Sequence, residues 1–519
     1  DKIGKGQTKP DTKEKTDRQV TMIEKILIRP LLSLRRAKFS YDENLSTIVP
    51  GFMNSPELVG LSDNFSSPGW DFVFGWQPDI EKVEGLGQQN NWLTRAAEKG
   101  WISGDRFLSQ QVVQRKQVNM NATLDIEPFK DFKIKVDFKK RLTNNHSEEF
   151  KYVDVGNDPG FQQLALKDVG SFEISYFSMN TLFNDDHDEL FERFSGYRKI
   201  ISNRLAVRAG QDPGDLHPDN PEYKKGFGDQ SQQVMIPAFM AAYVGIDPRE
   251  VDLDFQETIS DIKFLPRPSW SLDYKGLSQL PLFKSLFSSV SIRHGYNSML
   301  NVNTYSTDLR YSYEDRYSAI DPNENNYFSR LIIPDLVISE NFDPIIGIDI
   351  KTKNNIDIRF NYKKSRMLML GSVSLNETKA TEYVAGFAYK ISNVQFGKKK
   401  NQPKKSEDPA AVGAPDAKKP QAPGAGSRGV QSSAKDLSIG FDFSYRDNIT
   451  LQNYLDNGRK ADPTRGNLTI RFSPTVDYAV TENLVLRLFF NYNKTSPHVP
   501  TSFPITRYDG GLTVRFMLN

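Results

Sequence analysis

Two acidic runs come nearest to a chemical motif in this chain. "NDDHDELF" brings Asp185, Asp186 and Asp188 close together, and "DPGDLHPDN" does the same for Asp212, Asp215 and Asp219. Such carboxylates are the hard oxygen ligands that calcium takes. Neither run has the spacing of an EF-hand loop, and Asp, Gly and Pro in one stretch are turn residues first. No metal is therefore expected, and Asp212, Asp215 and Asp219 are the candidates if one is held. The five histidines, His146, His187, His217, His294 and His498, are scattered, with no H-E-x-x-H spacing. The absence of cysteine excludes disulfides, thiolate metal sites and a cysteine nucleophile. There is no G-x-S-x-G elbow and no P-loop. The expectation is a protein that is not an enzyme and uses no cofactor, so that function comes from shape.

Regular spacing is found instead in alternation. In "VNMNATLDIEPFKDFKIKVDF", Val118, Met120, Ala122, Leu124 and Ile126 alternate with polar residues. After a turn at Pro128, Phe132, Ile134, Val136 and Phe138 alternate with Lys133, Lys135 and Asp137. That is a hairpin with one apolar face. The same rhythm runs through 346–350, 356–362, 383–391, 437–445, 468–478, 484–492 and 512–518, with fainter signs at 34–41, 171–178, 268–275 and 287–302. Roughly 15 to 18 strands of about 8 to 11 residues are expected, the length that a tilted membrane strand needs. "PGWDFVFGWQ" reads as another, with Trp70, Phe72, Phe74 and Trp76 on one side. "NWLTRAAEKGW" (91–101) and "DELFERFSGYRKIISNRLAV" (188–207) have helical spacing instead and read as short helices in loops or plugging elements.

The bulk numbers fit this reading. Of 519 residues, 38% are hydrophobic and 25% charged, and no stretch resembles an apolar membrane helix. Strands crossing a membrane need only alternate apolar residues. Aromatic content of 12%, with 34 Phe and 21 Tyr, favours strands. A net charge of +2 does not suggest a nucleic-acid partner. The start at Asp1 is no signal peptide, and a mature fragment or C-terminal part of something longer is expected.

A lysine facing hydrocarbon near the midplane costs roughly 2–4 kcal/mol, so the side carrying Lys133, Lys135, Lys139 and, by the same alternation, Arg359 must meet water and would line a lumen. Phe132, Ile134, Val136 and Phe138 would face lipid, as would Trp70, Phe72, Phe74 and Trp76. Turns at 128–131, 353–355 and 480–483 are short, while 141–170, 303–341, 397–436 and 493–510 read as long loops, the asymmetry of an outer-membrane barrel. Residues 1–20 read as a polar linker and 21–396 as barrel strands with insertions. The Lys/Pro/Ala/Gly-rich insert 397–436 reads as a disordered loop, placed by counting strands on the side opposite the C-terminus, and 437–519 as closing strands. The fold class expected is all-β, a transmembrane antiparallel β-barrel with long extracellular loops and a few short helices. A barrel of the TonB-dependent-receptor type and a surface adhesin built of soluble β-domains are the alternatives.

Six ordered segments carry a resemblance. "RRAKFSYDENLSTIVPGF" (35–52), "PGWDFVFGWQ" (68–77), "QVMIPAFMAAYVG" (233–245), "LPRPSWSLDYKGLSQLPLFK" (265–284), "EYVAGFAYK" (382–390) and "TSFPITRYDGGLTVRFML" (501–518) together resemble the C-terminal part of the SprA/Sov family. That family forms the outer-membrane translocon of the type nine secretion system and is linked to gliding motility. The resemblance implies the C-terminal segment of a very large single-chain barrel in the outer membrane of a Gram-negative bacterium, passing folded cargo to the cell surface. The partners it implies are the remainder of the same polypeptide, a PorV-type outer-membrane barrel, a periplasmic plug protein, cargo bearing a C-terminal signal domain, and outer-membrane lipid.

Overall fold

The computed structural model describes residues 33–80, 91–154, 159–183, 186–259, 265–313, 315–394, 435–455 and 461–517. Fourteen strands form one antiparallel sheet: β1 (Leu34–Ile48), β2 (Val112–Ile126), β3 (Phe132–Val153), β4 (Gly160–Ser175), β5 (Ser269–Tyr274), β6 (Phe287–Thr307), β7 (Leu331–Ile332), β8 (Asp335–Thr352), β9 (Ile356–Gly371), β10 (Ser374–Ile391), β11 (Leu437–Tyr454), β12 (Asp462–Ala479), β13 (Leu484–Pro497) and β14 (Ile505–Phe516). Neighbours follow chain order from β1 to β14, with β5 joining β3 to β6 and β7 lying on β6. Among the described residues β1 pairs only with β2 and β14 only with β13, so the wall has two open edges.

Among the described residues the strands are fewer and longer than alternation suggests. β3 has 22 residues and β6 has 21, against the 8 to 11 expected. At about 3.3 Å per residue, β3 spans roughly 70 Å. Most of 141–170 is strand rather than loop, β8 begins at Asp335 inside the stretch read as 303–341, and β13 and β14 take up much of 493–510. Polar residues fill these outer halves on both sides, which hid the period.

A two-residue connection, 372–373 between β9 and β10, lies at the far end of the wall, whereas the expected short turns at 128–131, 353–355 and 480–483 lie together at the other, here the turn end. Asn355 closes its turn at φ 59°, a conformation that asparagine tolerates. The insert leaves β10 and returns to β11 at this same end, where Ile391 pairs with Leu437. Strand counting places the insert on the side opposite the C-terminus; the four strands that follow bring the chain back to the end that β10 left, so the end of β10, the start of β11 and the end of β14 share a side. Residues 1–20, and all of 397–436 except its last two residues, lie outside the described residues.

One strand position is shared. Along β3, residues Phe132–Asp137 pair with β5 and residues from Lys140 onward pair with β4. On β6, β5 covers Ile292–Tyr296 and β4 covers Met299–Ser306. β4 and β5 are thus collinear, and residues 176–268 leave the sheet between them. Helix α1 (Trp92–Glu98) precedes this excursion; helices α2 (His187–Arg208) and α3 (Gln232–Val244) belong to it. α2 starts where the Asp186 carboxylate accepts the Glu189 amide at 3.0 Å. α3, "QQVMIPAFMAAYV", is buried from Gln233 to Val244 and ends at Gly245, whose φ of 81° suits glycine. Phe194 meets Phe239 and Tyr243 between the helices, ring centres 6.4 and 6.3 Å apart. Together they pack on Leu142, Phe172, Leu300, Val302, Ile338 and Leu368 of the sheet in the main core. α2 coincides with the helical spacing read at 188–207, whereas α3 was not expected: its apolar run has no polar side, so it shows no helical period to read.

Among the described residues no helix is long and apolar enough to cross a membrane, a finding that does not bear on strands.

Candidate functional site

Register sorts the wall into two faces. Lys133, Lys135 and Lys139 share one side of β3, and the pairings Lys133 with Asp273, Asp273 with Arg293, and Asp349 with Arg359 carry that side across to β9. The four lysine and arginine positions singled out from alternation therefore do stand on one surface. Carboxylates are set among them: Lys135 to Asp137 at 3.0 Å, Lys139 to Glu173 at 2.7 Å, Arg293 to Asp349 at 2.8 Å and Arg359 to Asp442 at 3.9 Å. These exposed pairs each contribute about 0–1 kcal/mol, so they tell of a wet surface rather than of stability.

Phe132, Ile134, Val136 and Phe138 occupy the other side of β3, in register with Leu272 and Trp270. From there the apolar face has three tiers. Farthest from the turns it lies under α2 and α3. Nearest the turns it is bare, with Leu488 56% exposed and Leu512 63%. Tyr362 and Tyr383 stack at 4.7 Å, with Tyr445 next in the row, at the upper margin of this bare band.

The middle tier is charged and buried. Glu340, Arg366 and Lys379 stand in one cross-strand row of β8, β9 and β10. The Arg366 guanidinium donates to Glu340 Oε2 at 2.9 Å and to the carbonyl and hydroxyl of Thr181 at 2.8 and 2.7 Å. His187, the first residue of α2, pairs with Glu377, and its other ring nitrogen lies 2.6 Å from the Asn453 amide. Lys379 reaches Glu377 at 3.3 Å. The cluster ties the excursion to the wall where neither core nor bare band can hold it. In the excursion itself, burial pushes the Tyr223 phenol up, and a hydrogen bond to Asp254 holds Arg208 more firmly charged. Sequence reasoning missed the cluster, although its signal is present: Glu340, Arg366, Glu377 and Lys379 fall at positions where alternation calls for apolar residues.

One expectation is corrected. Trp70, Phe72, Phe74 and Trp76 are not on a strand. Trp70–Val73 is a single helical turn, bracketed by Gly69 at φ 121° and Gly75 at φ 79°. Those glycines break an extended path. Phe72 packs on Trp92 at 5.0 Å, while Trp70, Phe74 and Trp76 are exposed, Trp70 stacking on Phe74 and Trp76 lying tilted against Phe74. Asp212, Asp215 and Asp219 form turns: the Asp215 amide donates to the Asp212 carbonyl, and Asp219 accepts from Asn325 at 2.9 Å. Among the described residues no three His, Asp or Glu side chains gather where a metal ion could sit. Asp185 lies outside the described residues; Asp186 caps α2.

No protein-family model and no curated protein matches this chain.

Proposed function

We propose that this chain is part of the wall of a protein-conducting channel in the outer membrane of a Gram-negative bacterium, with its polar face toward the lumen and its bare apolar band toward lipid. The observation that carries the reading is the band itself. Phe441, Phe472, Phe490, Leu512, Val514 and Phe516 lie on one side of a continuous sheet, and among the described residues no element is laid over them. A contiguous apolar surface of this kind is unstable in water and suited to hydrocarbon. Tyrosines at its upper margin fit an interfacial belt. An adhesin built of soluble β-domains would pack sheet on sheet, and a single sheet argues against it.

In lipid the unpaired backbone groups of β1 and β14 would each cost several kcal/mol, so the two edges require further strands. The reading is of one section of a larger closed barrel, completed by the remainder of the same polypeptide, as the family resemblance implies. Type nine secretion, its plug and PorV-type partners, and cargo with a C-terminal signal domain belong to the same proposal.

The test is a photo-crosslinker placed, in the intact cell, at Lys135 or Arg359 on one face and at Val136 or Phe360 on the other. Protein adducts from the first pair and lipid adducts from the second are expected. Lipid adducts from both, or protein adducts from Val136 and Phe360 alone, would end the proposal.

A further inference from the structure

On β1 to β9 the charges of the polar face are largely matched: Arg36 reaches Asp125 at 2.6 Å and Lys363 reaches Asp343 at 2.8 Å, in addition to the pairs named above. The last three strands differ. Arg471 on β12, and Arg507 and Arg515 on β14, lie on the same face, exposed, and among the described residues none has an ion pair or a side-chain hydrogen bond. Arg471 pairs in register with Asn493, and Asn493 with Arg507, so two guanidinium groups flank one amide across neighbouring strands. The two carboxylates on this part of the face are already engaged, Asp477 with Arg487 at 3.6 Å and Asp509 with Asn491 at 3.4 Å.

We infer that the polar face of β12 to β14 is an anion-receptive surface that favours polypeptides presenting carboxylates. The inference rests on the channel reading for its role, as a preference for acidic over basic cargo, but the binding itself does not depend on a pore. Guanidinium presents a fork of donors matched to a carboxylate, and arginine is less strongly hydrated than lysine. Rings of Arg or Lys bias a pore toward anions in the same way. Three exposed contacts amount together to about a ten-fold preference, which screening by salt near 1 M should erase.

The experiment compares a fluorescent ten-residue polyglutamate with polylysine of equal length, by anisotropy, on the detergent-extracted full chain with its native partners. The wild type should bind polyglutamate about ten-fold more tightly than polylysine at low salt, and the variant Arg471→Gln/Arg507→Gln/Arg515→Gln should lose that preference while keeping its unheated gel mobility. If the triple variant fails to assemble, Arg507→Gln and Arg515→Gln on the edge strand are read singly, each expected to lower the ratio about two-fold. Equal binding of the two peptides, or a preference unmoved by these changes, overturns the inference. Reversal potentials across a planar bilayer separate it from the channel reading: an open pore without anion preference counts against this surface alone, whereas no pore at all counts against the channel and leaves peptide binding to decide here.

Discussion

From β2 to β10 the apolar face is capped at its far end by α2 and α3 and crossed by a buried ionic row, and most of the charges behind it are matched. From β12 to β14, among the described residues, the same face has no helix on it and no ionic row, and Arg471, Arg507 and Arg515 behind it lack carboxylates. One sheet, continuous in register, therefore has a self-sufficient region and a dependent one. The first pairs most of its charges within the chain. The second leaves oily residues on one side and cations on the other for something outside the chain to meet. Partners should accordingly act on the closing strands, while the excursion governs how the long strands stand beyond the band.

The largest expected effect breaks the comparison at its bare end. Leu488→Lys with Leu512→Lys puts two charges on the uncovered band at roughly 2–4 kcal/mol each near a membrane midplane, and assembly should be abolished, read as loss of heat-modifiable gel mobility. Ile134→Lys with Val136→Lys should do the same. Lys133→Ile with Lys135→Ile, on the opposite face, should still assemble and alter passage instead. Equal tolerance of both β3 pairs would mean that the two faces meet the same medium.

The next effect probes the self-sufficient region. Arg366→Ala strands Glu340 in a fully buried site, which costs about 3–5 kcal/mol. The excursion should loosen, with protease cutting within 176–268 at a rate at least tenfold higher while β11 to β14 stay protected. Replacing both partners, Arg366→Met with Glu340→Leu, should restore most of the protection, because an apolar pair leaves no charge without its mate. A double variant as labile as the single one would show that the row does more than fasten.

How much of this was legible follows from where the period is clean. In the turn-end halves of β2, β3, β9 and β11 to β14, one side is uniformly apolar, and those strands and the sorting of Lys133, Lys135, Lys139 and Arg359 onto one face could be read directly. The far halves could not. Asn144, His146 and Glu148 on β3, or Glu340 on β8, occupy core-facing parity because loops and helices, rather than bulk solvent or lipid, lie against them. Polar residues that pair across an interface look, in sequence, like the end of a strand. The shared strand position of β4 and β5 was invisible for another reason: collinearity is a fact of pairing, and each piece alone reads as a short, faint strand.

The aromatic stretch at 68–77 gives the smallest expected effect and the sharpest contrast between pattern and fold. On a lipid-facing strand, Trp76→Ser would remove a large ring from an apolar contact at about 2–3 kcal/mol. In the structure Trp76 is 63% exposed, touching Phe74 at 5.8 Å, and sits beside the Gln77 side chain, which donates to the Ser46 and Arg115 carbonyls at 2.9 Å. The segment is held by that amide and by Phe72 against Trp92, not by the outward rings. Trp76→Ser should therefore shift stability by no more than about 0.5 kcal/mol in a denaturant titration. Phe72→Ala should cost clearly more, since its ring has a partner to lose. If Trp76 proved the costlier of the two, a surface outside this chain would have to be covering it in the membrane.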